Sequence, residues 1–349
     1  MNAPAVLSPP APNRAAGGNF AQQSAYADDI KDQLFGLLRG VVSRRAPGAL
    51  KAFSKSERDG TLDKADLIAA LQANGIWFQL AGIAEENAMM RARRQIERTG
   101  GPDQVKGSFA NVLASAAALG VATPEVSAGL NRLRVGPTLT AHPTEAKRVT
   151  VLEAHRRIYR ILFELEDPRW TPRERERLTD QLRNEIELLW LTGELRLERP
   201  TVEHEVDWGL HFFRETLFGA AAETYGSLKT ALLRHYGEDG VNVSPFLRFS
   251  SWIGGDRDGN PWVTAAVTQK TLISNRAAAL ERLVEQLRSV VPLLSVSEKV
   301  VNVPASFDQA LDKALRCSGN GPIIQSRNPN EKFRQFFSCV LARVEATNG

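Results

Sequence analysis

The chain has 349 residues, 43% of them hydrophobic and 24% charged, with 44 Lys and Arg against 40 Asp and Glu. This balance excludes a disordered chain, a collagen-like fibre and a disulfide scaffold, and leaves a globular protein of one large domain or two ordinary ones. A net charge of +4 is small for this length and only 7% of residues are aromatic, so a small anionic substrate fits better than a nucleic acid.

Residues 1–24, rich in Pro, Ala, Gly and Asn, read as a disordered arm. Pro interrupts the apolar run that a secretory signal would need. Ile30, Leu34, Leu37, Leu38 and Val41 then recur at helical spacing until Pro47 and Gly48 break the pattern. A second helix is expected over 64–98, with Leu67, Leu71, Leu80, Ile83 and Ala84 as its apolar side, ended by Gly100, Gly101 and Pro102. A small-residue helix follows over 109–119. The most apolar stretch, near residues 112–121, is about half as long as a membrane-spanning helix, and no membrane partner is expected. Residues 25–134 therefore read as one helical region.

The texture changes at Val135. Residues 135–140 are too short for a helix and have the β-branched content of a buried strand. They run into Ala141-His142-Pro143-Thr144-Glu145, and Pro143 suits the first turn of the helix patterned by Val151, Leu152, Ile158, Ile161, Leu162 and Leu165. His142 is thus placed at a strand end beside a helix start. There an imidazole can move a proton at a reacting oxygen, and the unpaired N–H groups favour an anion. Lys147, Arg148, Arg156, Arg157 and Arg160 add cations, most of them expected to face solvent. His155, His204, His211 and His235 are expected to be structural.

A long helix is expected over 175–198, with Leu178, Leu182, Ile186 and Leu189 on one face. Seven Arg between Arg169 and Arg199 are matched by seven acidic residues, the pattern of a solvated, ion-paired surface. A second strand-like run, 245–253, empties into Gly254-Gly255-Asp256-Arg257-Asp258-Gly259-Asn260-Pro261, and Thr264 is placed to cap the next helix. A last helix is expected over 329–346. The loop spacing is not that of a calcium-binding EF-hand, because positions six and twelve counted from Asp256 are Pro261 and Val267 rather than Gly and Glu. Two readings remain: a structural turn, with Arg257 locked between Asp256 and Asp258, or a site loop whose Arg257 reaches an anion. Cys317 and Cys339 are too few and too widely spaced for a framework or a CxxC pair and read as two buried, reduced thiols of a cytoplasmic protein.

Thr140-Ala141-His142-Pro143-Thr144-Glu145, followed by Arg148, resembles one hallmark of the phosphoenolpyruvate carboxylase family. Ser251-Trp252-Ile253-Gly254-Gly255-Asp256-Arg257-Asp258-Gly259-Asn260-Pro261 resembles the other. Weaker echoes lie at 78–86, 189–201 and 327–331.

The resemblance implies a mainly α-helical protein with a few short parallel strands, in which residues 135–349 begin a (β/α)8 barrel of the TIM type that this chain does not close. It implies Mg2+ or Mn2+, with no metal ligands in this chain, and phosphoenolpyruvate and bicarbonate as substrates giving oxaloacetate and phosphate. It also implies a homotetramer at full length. His142 matches the family's catalytic histidine, Trp252 a residue thought to line an apolar CO2 pocket, and Arg148, Asp256 and Arg257 positions on the substrate side. A glycine- and arginine-rich FHGRGG-type loop, and the later Lys and Arg that hold phosphate and enolate, have no match in these 349 residues. The expectation is therefore an N-terminal portion, inactive alone. The alternative is a non-catalytic paralogue that binds a full-length carboxylase or an anionic metabolite.

Overall fold

The computed structural model describes residues 16–53, 63–140, 149–192, 201–237 and 243–348. They are mainly helical, with about 77% helix and 2% strand. In chain order the helices are α1 (Ala16–Arg45), α2 (Leu50–Phe53), α3 (Lys64–Gly100), α4 (Phe109–Ala118), α5 (Thr123–Arg132), α6 (Val149–Leu165) and α7 (Pro172–Leu191). There follow α8 (Val202–Phe212), α9 (Phe218–Tyr236), α10 (Ala265–Val290), α11 (Ala305–Cys317), α12 (Gly321–Arg327) and α13 (Lys332–Asn348). Two strands, β1 (Thr138–Leu139) and β2 (Ser250–Ser251), pair in parallel.

Two compact units interleave in sequence. One comprises residues 1–125, 143–199 and 230–241, the other 126–142, 200–229 and 242–349. Residues 16–24, expected in the arm, are the first turns of α1. Extending a helix that already exists adds one hydrogen bond per residue, so the Ala-containing segment is carried into helix by its neighbour.

The first unit is a helical bundle. α1 buries Ile30, Leu34, Leu38, Val41 and Val42 against α3, and α6 and α7 complete the core with Ile158, Leu162, Leu182 and Ile186. The face α3 buries matches the expected one at Leu80, Ile83 and Ala84 but not in its first turns. Leu67 and Leu71 are 49% and 64% exposed, whereas Ala70, Ala73, Ile76, Leu80, Ile83 and Ala84 are buried. Three alanines on that face let helices approach closely, which bulkier leucines would prevent. By length and composition α3 could span a membrane, so it replaces residues 112–121 as the most apolar candidate. Here it serves as a core helix of the bundle.

One polar side chain penetrates this core. Asn87 is fully buried and satisfied: the Tyr26 hydroxyl donates to its Oδ1 (3.2 Å) and its Nδ2 donates to Glu166 (3.0 Å). Arg94 in turn holds both carboxylate oxygens of Glu166, at 3.0 Å each. Burial pushes the Tyr26 hydroxyl above its usual range. The acidic residues of α7 do more than face solvent. Glu185 pairs with both nitrogens of the Arg157 fork at 2.9 Å, and Glu187 takes Arg44 and Arg45 of α1 at 3.1 and 2.6 Å. Arg156 pairs with Glu153 at 3.1 Å. α7 begins at Thr171 in a capping box with Glu174 and Pro172, which sets its start earlier than the apolar pattern indicates. Its last described turn ends at Leu191, and residues 193–200 lie outside the described residues. His155 meets Gln79 at 2.7 Å and His235 meets Asp103 at 3.0 Å, the structural roles expected of them.

In the second unit α10 starts at its Thr264 cap as the sequence predicts, with Thr264 Oγ1 accepting from Val267 N–H. Helices α10, α11 and α13 pack together. Lys332 bridges Asp308 (2.8 Å) and Glu298 (2.7 Å), and these carboxylates hold its ammonium up to about 12.

Candidate functional site

The two motif segments are brought together by the parallel pair. Thr138 stands opposite Ser250 and Leu139 opposite Ser251. The Leu139 carbonyl accepts from the Trp252 N–H (2.8 Å), so the chain leaves β1 at Thr140 and β2 at Trp252 from the same end of the sheet. The ladder extends back through a bridge between Val135 and Leu247, with Arg248 N–H donating to Val135 O (2.9 Å) and Val135 N–H to Phe246 O (2.8 Å). Between these pairs sits Pro137. It accepts from Ser250 N–H (2.9 Å) but has no N–H to return, and this divides the expected strand into a bridge and a two-residue strand.

Tyr225 of α9 fixes the approach to β2. Its hydroxyl accepts from the N–H groups of both Phe246 (2.9 Å) and Leu247 (3.0 Å), and its ring packs on Phe246 with centroids 4.7 Å apart. Tyr225→Phe keeps the ring and strands two backbone donors, one on a buried residue. A loss of about 1–3 kcal/mol in urea unfolding is expected. An unchanged midpoint would mean that water replaces the hydroxyl at no cost.

The loop after β2 is a tight turn. Gly255 and Asp256 N–H both donate to the Trp252 carbonyl, at 3.0 and 2.9 Å, and Asp256 Oδ1 accepts from Asp258 N–H at 3.2 Å. Gly254 is buried at φ +71°, where a Cβ would lie 2.2 Å from Thr271 Oγ1. Among the described residues no ion pair joins Arg257 to Asp256 or Asp258, so the lattice expected there is replaced by backbone hydrogen bonds. Arg257 is exposed and Asp256 half-buried. Trp252 is 58% exposed at the strand end. His142 and Arg148 lie outside the described residues. Among those described, no three His, Cys, Asp or Glu side chains converge as a metal site.

Beneath this loop lies an apolar pocket of about 260 Å3, lined by Leu139, Ser250, Ser251 and Ile253 from the strand ends and by residues of α8 and α10. Its remaining wall is a single π-helical turn, Phe213–Leu217, between α8 and α9. Phe218 N–H donates to Phe213 O, five residues back, so Phe213 and Phe218 fall on one side with ring centroids 5.6 Å apart. Phe213 then meets Phe249 edge-on at 5.3 Å. Trp252 is not among the lining residues; Ile253, its neighbour, is. The pocket and the π-turn were not legible in sequence, because Phe212, Phe213 and Phe218 fit an ordinary helical pattern equally well.

The family model for phosphoenolpyruvate carboxylase matches residues 38–349, which include both motif segments and the parallel pair joining them. The chain belongs to the phosphoenolpyruvate carboxylase family. A phosphoenolpyruvate carboxylase of Methylorubrum extorquens is 49% identical over 339 residues, covering 96% of this chain and 37% of that protein. One from Rhodothermus marinus is 38% identical over 234 residues, covering 67% and 25%. One from Gloeobacter violaceus is 33% identical over 355 aligned residues, covering 95% and 37%. The chain thus spans little more than a third of the length of the carboxylases it matches. In this phosphoenolpyruvate carboxylase relative the parallel register sets the starts of the two hallmarks, about 110 residues apart, side by side.

Proposed function

We propose that this chain supplies one part of a carboxylase site that converts phosphoenolpyruvate and bicarbonate to oxaloacetate and phosphate. The observation that carries the reading is the hydrogen bond from Trp252 N–H to Leu139 O, which sets the starts of both hallmark loops side by side. In enzymes built on parallel strands, reacting groups collect at the C-terminal strand ends. Two successive strand–loop–helix units, β1 to α6 and β2 to α10, support residues 135–349 as the beginning of a (β/α)8 barrel, with 25–134 as the helical region before it. A parallel pair of two-residue strands needs further strands and helices on both faces to persist.

In the proposed reaction a bicarbonate oxygen attacks phosphorus and the bond from phosphorus to the enol oxygen breaks, leaving carboxyphosphate and the enolate of pyruvate. Carboxyphosphate then divides into CO2 and phosphate, and the enolate carbon takes up the CO2. His142, following β1, would hold or pass the proton at the carboxyphosphate stage. Arg257, exposed and without an ion-pair partner among the described residues, would face the anionic substrates, with Asp256 shaping its loop and Arg148 adding a second cation. Exposed Trp252 would offer an apolar wall that shields the enolate from protonation by water. The family uses Mg2+ or Mn2+. The described residues of this chain do not fit such an ion, since no cluster of ligands forms among them, and no step here is routed through it. Cys339 is buried as expected whereas Cys317 is exposed, and two free thiols are in keeping with a cytoplasmic setting. A homotetramer is proposed for the full-length form.

The test is a chimera in which residues 38–349 replace the matching segment of the Methylorubrum extorquens carboxylase. It is expected to form oxaloacetate, followed through malate dehydrogenase. A folded chimera without turnover would overturn the reading. The 349-residue chain alone, given phosphoenolpyruvate, bicarbonate and Mg2+, is expected to show no turnover.

A further inference from the structure

We propose that the apolar pocket beneath the Gly254 loop is a binding site for a small aromatic ligand of fused-bicycle size carrying one hydrogen-bond donor. Three features of the pocket set that class. The first is size. An apolar cavity of about 150 Å3 accepts a benzene ring, and this one, about 260 Å3, has space for a second fused ring. The second is its wall. The π-turn swings Phe213 against Phe249 in an edge-on pair, leaving aromatic surface beside Leu210 and Ile253 that suits another ring. The third is its polar rim. Asn275 of α10 and Ser250 and Ser251 of β2 line the pocket while remaining exposed, so oxygen acceptors at the rim are available to a donor on the ligand.

The pocket shares Ile253 with the loop that turns at Gly254, so an occupant would press directly on the segment that presents Trp252 and Arg257. Nothing in the proposed carboxylation uses this cavity. Binding here stands independently of that reading, and either can fail without the other.

Indole is a suitable probe, titrated into the 349-residue chain by calorimetry and followed by the backbone amide signals of Ile253, Gly254 and Gly255. One saturable site per chain is expected, with those amides shifting in step with the heat. Ala279→Phe and Asn275→Phe, both at exposed lining positions of α10, should each fill the space and weaken binding by about tenfold or more. Each variant's urea unfolding midpoint checks that it has folded; if one does not fold, the other decides. Absence of saturable binding up to the solubility limit of indole would overturn the proposal. So would affinity unchanged in the folded variants, or saturation that leaves the three amides unmoved.

Discussion

Gly254→Ala is expected to destabilise the second unit by about 2–4 kcal/mol, the sum of a left-handed backbone penalty and an overpacking penalty. Gly254 sits at φ +71°, which an alanine adopts only with strain. The new methyl would also fall 2.2 Å from Thr271 Oγ1, 2.9 Å from its Cγ2 and 3.0 Å from its Cβ. Thr271 cannot move aside freely: it is 7% exposed, held within α10, and its hydroxyl donates to Val267 O at 2.9 Å. Gly259 separates the two penalties, because it has φ +65° but a methyl group there would meet no heavy atom within 4 Å. Gly259→Ala should therefore cost only about 1 kcal/mol. Pairing Gly254→Ala with Thr271→Ala should recover the steric part and leave the backbone part, once the cost of Thr271→Ala alone is subtracted. Urea unfolding of these four variants checks this, and equal losses at positions 254 and 259 would show that the loop is not seated on Thr271.

The largest effect on activity is expected at His142. In the chimeric carboxylase, His142→Asn should lower oxaloacetate formation by about 10²–10⁴-fold, the usual contribution of a positioned acid or base. Asparagine keeps a hydrogen-bonding group of similar size but cannot titrate near neutrality. The loss should therefore fall on turnover rather than on folding or on the concentration of phosphoenolpyruvate needed for half-saturation. It should also remove any pH dependence of turnover that belongs to the imidazole. Near-normal turnover would take His142 out of the reaction.

Much of this arrangement could be read from the chain. Helical periodicity located α1, α6 and α7 because their buried residues recur on one face, and Thr264 marked the start of α10 because its hydroxyl caps an orphan N–H. The exceptions have local physical reasons. Leu80, Ile83 and Ala84 lie on the buried face of α3 as expected, but Leu67 and Leu71 do not, since close packing in the first turns favours Ala70 and Ala73 over leucines. Arg257 and its flanking aspartates allow either an ion-paired turn or a site loop in sequence, and in the structure the Asp256 carboxylate accepts from the Asp258 backbone N–H. Arg157 looks like a cation beside the site, yet its Nε and Nη2 both donate to Glu185 of α7.

Length and composition by themselves determined a globular protein, the apolar spacing a helix-rich one, and the two hallmark segments pointed to its family. All three are properties of residue type and spacing, which a linear chain carries in full. That the starts of the two hallmark loops lie side by side was decided by the tertiary structure. It depends on hydrogen bonds between Leu139 and Trp252 and between Pro137 and Ser250, made by backbone groups that every sequence shares. The pocket likewise depends on one π-helical turn, which sets Phe213 and Phe218 on one side, and on the packing of α8 and α10 against the strand ends, segments far apart in the chain.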